Sequence, residues 1–294
     1  MSRKIGLFLA LGFCGLLATA QQGSRPELHP KREDASDLEV TGLLKGVPPG
    51  ESRFVSRRFL VALPQTAATI EVGVDFGDKP GTGLEVTGIY LDVLARSLGA
   101  KDAAIAMAAI CNDGYTSTFP AEYIQRHRPI FVLSIDGLTP HDWAVKNHGF
   151  DAGPYFIGYQ AFAPSFQVLA HVDRPQQPDG LKKIVFETEG RLLGGIMPKK
   201  VAGSNRQAEM DGYRIARQNC YRCHNAGGYG GTKAAVTWST IGSIAKNRPE
   251  YFAAWVRDPQ SIKVKSAMPP NKDYDKATLM ALQRYFATFA MAGQ

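Results

Sequence analysis

Short runs of β-branched and aromatic residues, separated by turn-forming residues, dominate the chain between residues 54 and 189. Residues 69–74 alternate between polar and apolar side chains, as a half-buried strand does. The apolar spacing in residues 91–98 instead predicts a short helix. Five other segments are predicted to be strands: 59–63, 103–111, 130–134, 155–157 and 183–186. The pattern therefore predicts a domain of mixed α+β structure over residues 53–190.

The hydrophobic pattern changes to a helical period after residue 205. Helices are predicted over residues 207–219, from Pro249 to the Asp258-Pro259 stop, and over residues 275–290. Their apolar residues recur at spacings of three and four: Ala208, Gly212, Ile215 and Ala216 in the first helix, and Leu279, Leu282, Phe286 and Phe289 in the last. Residues 205–294 are therefore predicted to form a second, all-α domain.

Two segments show neither period. Residues 21–52 are polar and rich in turn-forming residues, which predicts a tether. Residues 191–204 contain Gly194-Gly195 and Gly203-Ser204 as flexible points, which predicts a linker. The expected organisation is two domains, which suits a chain of 294 residues.

The first 20 residues have the organisation of a secretory signal peptide. Arg3 and Lys4 precede an apolar run, and Ala18-Thr19-Ala20 matches a signal peptidase site. The run is shorter than the ~20 apolar residues that a membrane-spanning helix needs. We therefore expect cleavage after Ala20, a periplasmic protein, and no membrane span in the mature chain.

The positive charge lies mostly in the predicted helical domain. The formal net charge is +7, and residues 205–294 carry thirteen Lys and Arg against six Asp and Glu. Such an excess favours association with an acidic protein through electrostatic steering. The composition is otherwise that of a soluble globular protein, so a solvated basic surface without a partner is the default interpretation; the partner that the charge would suit is an acidic redox protein, and no nucleic-acid partner is predicted.

The segment Cys220-Tyr221-Arg222-Cys223-His224 has the spacing of a covalent c-type haem attachment site. One helical turn would bring both sulfurs to one porphyrin and place His224 as the proximal iron ligand. A zinc site would need a second ligand pair at similar spacing, and a thioredoxin-like dithiol would follow a strand. A structural disulfide stays open from the pair alone. The glycines of residues 225–231 would let backbone approach a flat cofactor.

The C-terminal part resembles the class I cytochromes c. The resemblance rests on Gly212-Tyr213, the haem motif, Asp258-Pro259, Ala267-Met268-Pro269 and Tyr285-Phe286, in this order. It implies one haem c, a crossing of the first and last helices at the glycine and aromatic positions, and Met268 as the sixth iron ligand. Met197 and Met210 are the less suitable methionines. Arg257 and Trp255 are candidates for contacts with the haem propionates, and the exposed haem edge would be surrounded by Arg222, Lys263, Lys265 and Lys272.

The middle of the chain resembles the molybdopterin-binding domain of sulfite oxidase-like proteins. The similar segments are Val86-Thr87-Gly88-Ile89-Tyr90-Leu91-Asp92-Val93-Leu94, Cys111-Asn112-Asp113-Gly114-Tyr115, Ile135-Asp136-Gly137, Gly153-Pro154 and Leu181-Lys182-Lys183-Ile184. The resemblance implies that Cys111 could be a molybdenum ligand. The arginines that bind the anionic substrate and the pterin phosphate in catalytic members are missing here, so a degenerate domain without molybdopterin is preferred.

These patterns predict a periplasmic single-electron carrier with His/Met-ligated haem, in which the N-terminal domain docks or scaffolds a partner. The alternative is a molybdenum-dependent, sulfite dehydrogenase-like oxidoreductase that passes electrons to its own haem. A third hypothesis, a haem sensor, would require a vacant or labile sixth position on the iron.

Overall fold

The computed structural model describes residues 27–71, 83–101, 105–199 and 205–290. The predicted signal peptide lies outside these residues. The strands are β1 (Leu28–His29), β2 (Leu38–Gly42), β3 (Ser52–Val55), β4 (Thr66–Ile70), β5 (Leu84–Tyr90), β6 (Ile105–Cys111), β7 (Thr116–Phe119), β8 (Ile130–Ile135), β9 (Phe156–Gly158), β10 (Gln167–Val168), β11 (His171–Val172), β12 (Leu181–Thr188), β13 (Asn225–Ala226) and β14 (Tyr229–Gly230).

Ten helices are found in the described residues: α1 (Arg57–Ala62), α2 (Leu91–Ser97), α3 (Ala121–His127), α4 (Pro140–Asn147), α5 (Glu189–Leu193), α6 (Arg206–Asn219), α7 (Trp238–Asn247), α8 (Pro249–Arg257), α9 (Pro259–Ile262) and α10 (Lys276–Ala287). The chain is thus a mixed α/β protein whose last third is helical apart from the short β13–β14 hairpin.

Two sheets carry the N-terminal part. The larger has the strand order β1-β3-β2-β12-β6-β7, and the smaller has the order β4-β5-β8-β9. β12 pairs with β2 in parallel and with β6 in antiparallel orientation, so it is a central strand. Its apolar residues Ile184 and Phe186 are buried, as expected for a strand covered on one face or both.

The predicted tether over residues 21–52 is wrong for its described part. β2 pairs with β3 and with β12 inside the larger sheet, and Leu38 and Val40 are completely buried. The turn-forming residues between these strands outweighed the short apolar stretches in the sequence pattern. The N-terminal domain therefore begins well before residue 53.

Residues 59–63 were predicted to be a strand, but the structure has helix α1 at Arg57–Ala62. The Ser56 side chain accepts a hydrogen bond from the backbone N–H of Phe59, which is a helix N-cap. A short apolar run does not distinguish strand from helix by its period alone, so the capping residue was the better signal. The other predicted strands coincide with β4, β6, β8, β9 and β12, although residues 72–74 and 103–104 of these predictions lie outside the described residues.

The predicted linker over residues 191–204 is packed where it is described. Leu192, Leu193 and Ile196 are buried, and the Tyr285 hydroxyl donates to the Ile196 carbonyl oxygen over 2.6 Å. These residues belong to a hydrophobic cluster that also contains Ala106 of β6 and core residues of the C-terminal helices. The two parts of the chain therefore share a hydrophobic core.

The three predicted C-terminal helices coincide with α6, α8 and α10, whereas α7 and α9 were not predicted. α6 and α10 cross at Gly212, where a Cβ atom would lie 2.3 Å from the Ala281 carbonyl oxygen and 2.5 Å from Cβ of Tyr285. Only glycine allows two helices to approach this closely. The expected crossing of the first and last helices at a glycine and an aromatic residue is confirmed.

Candidate functional site

The Cys-x-x-Cys-His segment begins at the C-terminal end of α6. The backbone N–H of Cys220 still bonds to the Ala216 carbonyl oxygen, and the N–H groups of Cys223 and His224 both bond to the Cys220 carbonyl oxygen. This turn follows a helix and not a strand, which disfavours a thioredoxin-like dithiol. Both thiols are half-buried and free, so the structure holds no disulfide between them.

The imidazole of His224 is held by one of its two nitrogens. Nδ1 lies 2.7 Å from the Val236 carbonyl oxygen. A carbonyl oxygen can only accept a hydrogen bond, so Nδ1 carries the proton and Nε2 of the neutral ring has a free lone pair. Burial lowers the pKa of His224, which favours the neutral ring. The ring has the tautomer that a metal-binding histidine needs, with the second nitrogen oriented by a backbone carbonyl.

Met268 lies in the loop between α9 and α10. It is half-buried and packs against the same hydrophobic cluster as Cys220. The Gln260 side-chain amide donates to the carbonyl oxygens of Ser266 (3.0 Å) and Met268 (2.8 Å), which fixes the backbone of the loop. Of the two other methionines considered from sequence, Met197 is 40% exposed and Met210 lies on α6.

The other predicted contacts of the haem have separate positions. Trp255 is half-buried and packs edge-on against Tyr251, and exposed Arg257 donates to the Tyr274 carbonyl oxygen over 3.3 Å. The four basic residues predicted to surround the haem edge differ in exposure. Lys263, Lys265 and Lys272 are exposed, whereas Arg222 is half-buried and its Nε is buried without a hydrogen-bond partner.

Two of the glycines after the motif, Gly230 and Gly231, pack against the motif itself, whereas a Cβ atom at Gly227 or Gly228 would meet no atom within 4 Å. A Cβ atom at Gly231 would lie 1.8 Å from the Arg222 carbonyl oxygen, and one at Gly230 would lie 2.4 Å from the Tyr221 ring. The close backbone approach predicted for residues 225–231 is therefore made to residues 221–224 within the described part of the chain. The end of the β13–β14 hairpin therefore packs directly against the Cys-x-x-Cys-His turn.

The N-terminal domain contacts this same turn. The backbone N–H of Thr116 donates to the Arg222 carbonyl oxygen over 2.9 Å, and that of Thr232 donates to the Gly114 carbonyl oxygen over 2.8 Å. Lys233 forms an ion pair with Asp113 beside these bonds. The residues that follow Cys111 in sequence thus dock the sheet directly onto the residues between and after the two cysteines. Sequence analysis missed this interface, because both partners lie in short polar turns.

Cys111 ends β6 and is 2% exposed. Burial, and then the charges of Asp179 and Asp113, raise the pKa of its thiol far above the ordinary range. Lys233 is the cation that acts on it, but Lys233 is already paired with Asp113. These surroundings favour a neutral thiol and disfavour an anionic cofactor, so the residues present do not fit a molybdenum ligand.

His171, which belongs to none of the sequence motifs, has hydrogen-bond partners at both of its ring nitrogens. His171 of β11 is completely buried, with Nε2 2.8 Å from Gln218 Oε1 and Nδ1 2.6 Å from the Tyr274 hydroxyl. The Gln218 amide nitrogen donates to Asp173, so Oε1 faces the ring and accepts. His171 is therefore a neutral ring that donates from Nε2 and accepts the Tyr274 hydroxyl proton at Nδ1.

The stability of the protein is expected to fall as the pH decreases from about 6.5 towards 4. The pKa of His171 is lowered from 6.5 to about 4, chiefly by burial; Arg174 and Arg222 also lower it, and Gln218 and Asp173 act in the opposite sense. In this window the unfolded state binds a proton that the folded state excludes, at a cost on the order of 3 kcal/mol at the acid end. Urea unfolding at pH 7 and pH 5 should show a smaller pH-dependent loss for His171→Gln than for the wild type. Equal losses would contradict the assignment.

Among the described residues, no group of three or more His, Cys, Asp or Glu side chains is arranged to hold a metal ion by itself. The described helices are all too short or too polar to cross a membrane.

Comparison with known proteins gives distant structural likeness and no sequence match. No protein-family model and no curated protein sequence matches the chain. Among solved structures, the sulfane dehydrogenase SoxCD from Paracoccus pantotrophus superimposes with a TM-score of 0.34 and 14% sequence identity, over 54% of this chain and 40% of that one. The match thus spans less than half of the SoxCD chain, and a likeness this low does not assign a function.

Proposed function

We propose that the protein is a single-electron carrier with one haem c attached through Cys220 and Cys223. The observation that carries the proposal is the orientation of His224, immediately after the second cysteine, with Nδ1–H bonded to Val236 and Nε2 left to bind a metal. Two free thiols one turn apart complete a donor set of the kind that c-type haem requires.

Each residue has a distinct role in this proposal. Haem iron, when bound, would supply a reversible one-electron couple. Cys220 and Cys223 would hold the porphyrin by thioether bonds, and His224 would bind iron from one face. Met268 would be the second iron ligand, because its loop is fixed by Gln260 and its side chain packs against the same hydrophobic cluster as Cys220. Methionine raises the potential relative to a second histidine, and a filled sixth position excludes oxygen and peroxide.

We propose that the carrier is periplasmic and that its redox partner presents an acidic surface. Export follows from the predicted signal peptide over residues 1–20, and haem c is attached outside the cytoplasm. Lys263, Lys265 and Lys272 are exposed, and Val264 between the first two is 86% exposed. Exposed lysines around an apolar residue suit a transient complex whose association rate depends on ionic strength.

The N-terminal domain would act as a fixed scaffold for the haem-binding turn. The support is the pair of backbone hydrogen bonds at Thr116 and Thr232, together with the Asp113–Lys233 ion pair. The alternative, a molybdenum-dependent sulfite dehydrogenase-like enzyme, has no support in the surroundings of Cys111. Stoichiometric molybdenum in protein from a molybdenum-competent host would overturn the preference.

Met268→Ala is expected to convert the haem iron to a form with an open or water-filled sixth position. The wild type, produced with c-type maturation, should show a weak sulfur-to-iron charge-transfer band at the red end of its oxidised spectrum and should resist carbon monoxide when reduced. The variant should lose the band and bind carbon monoxide readily. Met197→Ala is the matched control, because Met197 also precedes a proline and should change neither property.

A wild type without covalent haem would refute the proposed function. A wild type that holds haem but binds carbon monoxide as readily as the variant would instead support the sensor hypothesis.

A further inference from the structure

A series of hydrogen bonds runs from the buried His171, through the half-buried Asn219, to the segment that follows Met268. The Tyr274 hydroxyl, which donates to His171, accepts from the Asn219 side chain over 3.3 Å. The same Asn219 amide nitrogen donates to Asn271 Oδ1 over 2.9 Å. His171, Tyr274 and Asn271 are 0%, 2% and 6% exposed. The N-terminal domain is therefore linked by polar contacts to the interior of the C-terminal helices.

Asn271 fixes the end of the Met268 loop. Its backbone N–H donates to the Arg257 carbonyl oxygen and its side-chain amide to the Val256 carbonyl oxygen, both over 3.0 Å. Only Pro269 and Pro270 separate it from Met268, and a Pro-Pro segment is stiff. A displacement of Asn271 would therefore be transmitted to the Met268 side chain.

The His171 end of this hydrogen-bond series is also held in place. Gln218, which accepts from His171, also donates to Asp173 and to the Arg174 carbonyl oxygen. The neighbouring Ala170 N–H donates to the Thr278 hydroxyl in the first turn of α10 over 3.0 Å. The β10–β11 hairpin thus holds His171 in place from the side of the N-terminal domain.

We propose that His171 is a positioning residue for the Met268 ligand. It acts through Tyr274 and Asn271, so the N-terminal domain completes the haem site and does more than dock against it. The inference rests on the proposed function, because it concerns the strength of the Met268–iron bond. His171 itself would contact neither the haem nor the iron, so covalent attachment at Cys220 and Cys223 should not depend on His171.

Loss of the imidazole leaves the buried Tyr274 hydroxyl without its acceptor. A buried hydroxyl without a hydrogen-bond acceptor destabilises the arrangement that buries it. The Met268-bound state should lose this stabilisation relative to states in which the loop has moved away. An external ligand that competes with Met268 should therefore bind about tenfold more tightly, since 1.4 kcal/mol corresponds to a factor of ten.

The test is to titrate the oxidised, haem-loaded protein with imidazole. The affinity for imidazole and the intensity of the charge-transfer band are both measured. We expect His171→Phe to raise the imidazole affinity about tenfold and to weaken the band, with covalent haem unchanged. Tyr274→Phe removes the partner hydroxyl and should act in the same direction. His171→Asn, which can place an acceptor near the position of Nδ1, should restore part of the wild-type affinity. His141→Phe is the matched control, because His141 is exposed and its imidazole bonds to Asp151, away from the buried residues around His171, in the described part of the protein.

The outcomes separate the inference from the proposed function. If the wild type carries haem and shows the band, but His171→Phe and Tyr274→Phe bind imidazole as weakly as it does, the positioning role is refuted and the carrier stands. An equal gain in affinity for His141→Phe would also refute it, because the effect would not be specific to this hydrogen-bond series. A wild type without haem or without the band removes the proposed ligation itself, and the inference with it.

Discussion

Replacement of both Cys220 and Cys223 by alanine is expected to abolish covalent haem completely. In the proposed carrier the thioether bonds would be the covalent link between porphyrin and polypeptide, so two alanines would leave no bond that survives denaturation. Haem staining of a denaturing gel, after production with c-type maturation, should show the wild type and no signal for the double variant. Electron transfer to and from the protein should be lost with the haem.

The matched control is Cys111→Ala. Cys111 is also a free cysteine, and its thiol is buried in the N-terminal domain at a distance in sequence from the motif. This variant should retain covalent haem at the wild-type level, with a modest loss of stability from the missing sulfur. Haem retained by the double variant after denaturation, or lost from Cys111→Ala, would contradict the assignment of the attachment site.

Gly212→Val is expected to destabilise the C-terminal helices by about 3 kcal/mol or more, because overpacking at a rigid contact is among the costly substitutions. The added Cβ would lie 2.3 Å from the Ala281 carbonyl oxygen, which belongs to helix backbone and cannot rotate away. α6 and α10 would have to separate, and the Cys220 end of α6 would move with them. Urea unfolding followed by circular dichroism should show a lower midpoint, and haem incorporation should fall.

Gly190→Ala provides the control for this substitution. Gly190 is also a helical glycine, in α5, but a Cβ atom there meets no other atom within 4 Å. Alanine has the higher helix propensity, so this variant should be as stable as the wild type or more stable by about 0.5–1 kcal/mol. A Gly212→Val protein with wild-type stability would show that the helix crossing tolerates a larger separation.

The sequence predicted α6, α8 and α10 of the C-terminal part, because each has both a periodic apolar face and a clear boundary residue, but it missed α7 and α9. Asp258-Pro259 ends α8, and Asp275 caps α10. The N-terminal edge of the larger sheet was missed. β2 is a short strand in a turn-rich region, and its burial depends on β12, which lies more than 130 residues away in sequence. No local pattern records such a pairing.

The amino-acid sequence by itself determined which chemical groups the candidate site contains: two cysteines three apart, the following histidine, and a methionine before two prolines. Such motifs are local, and covalent attachment depends on spacing alone. The tertiary structure decided how the site is supported. The tautomer of His224 follows from Val236, and the Met268 loop is linked through Asn271 and Tyr274 to His171. These contacts join residues distant in sequence, and their stability comes from burial, which only the folded chain provides.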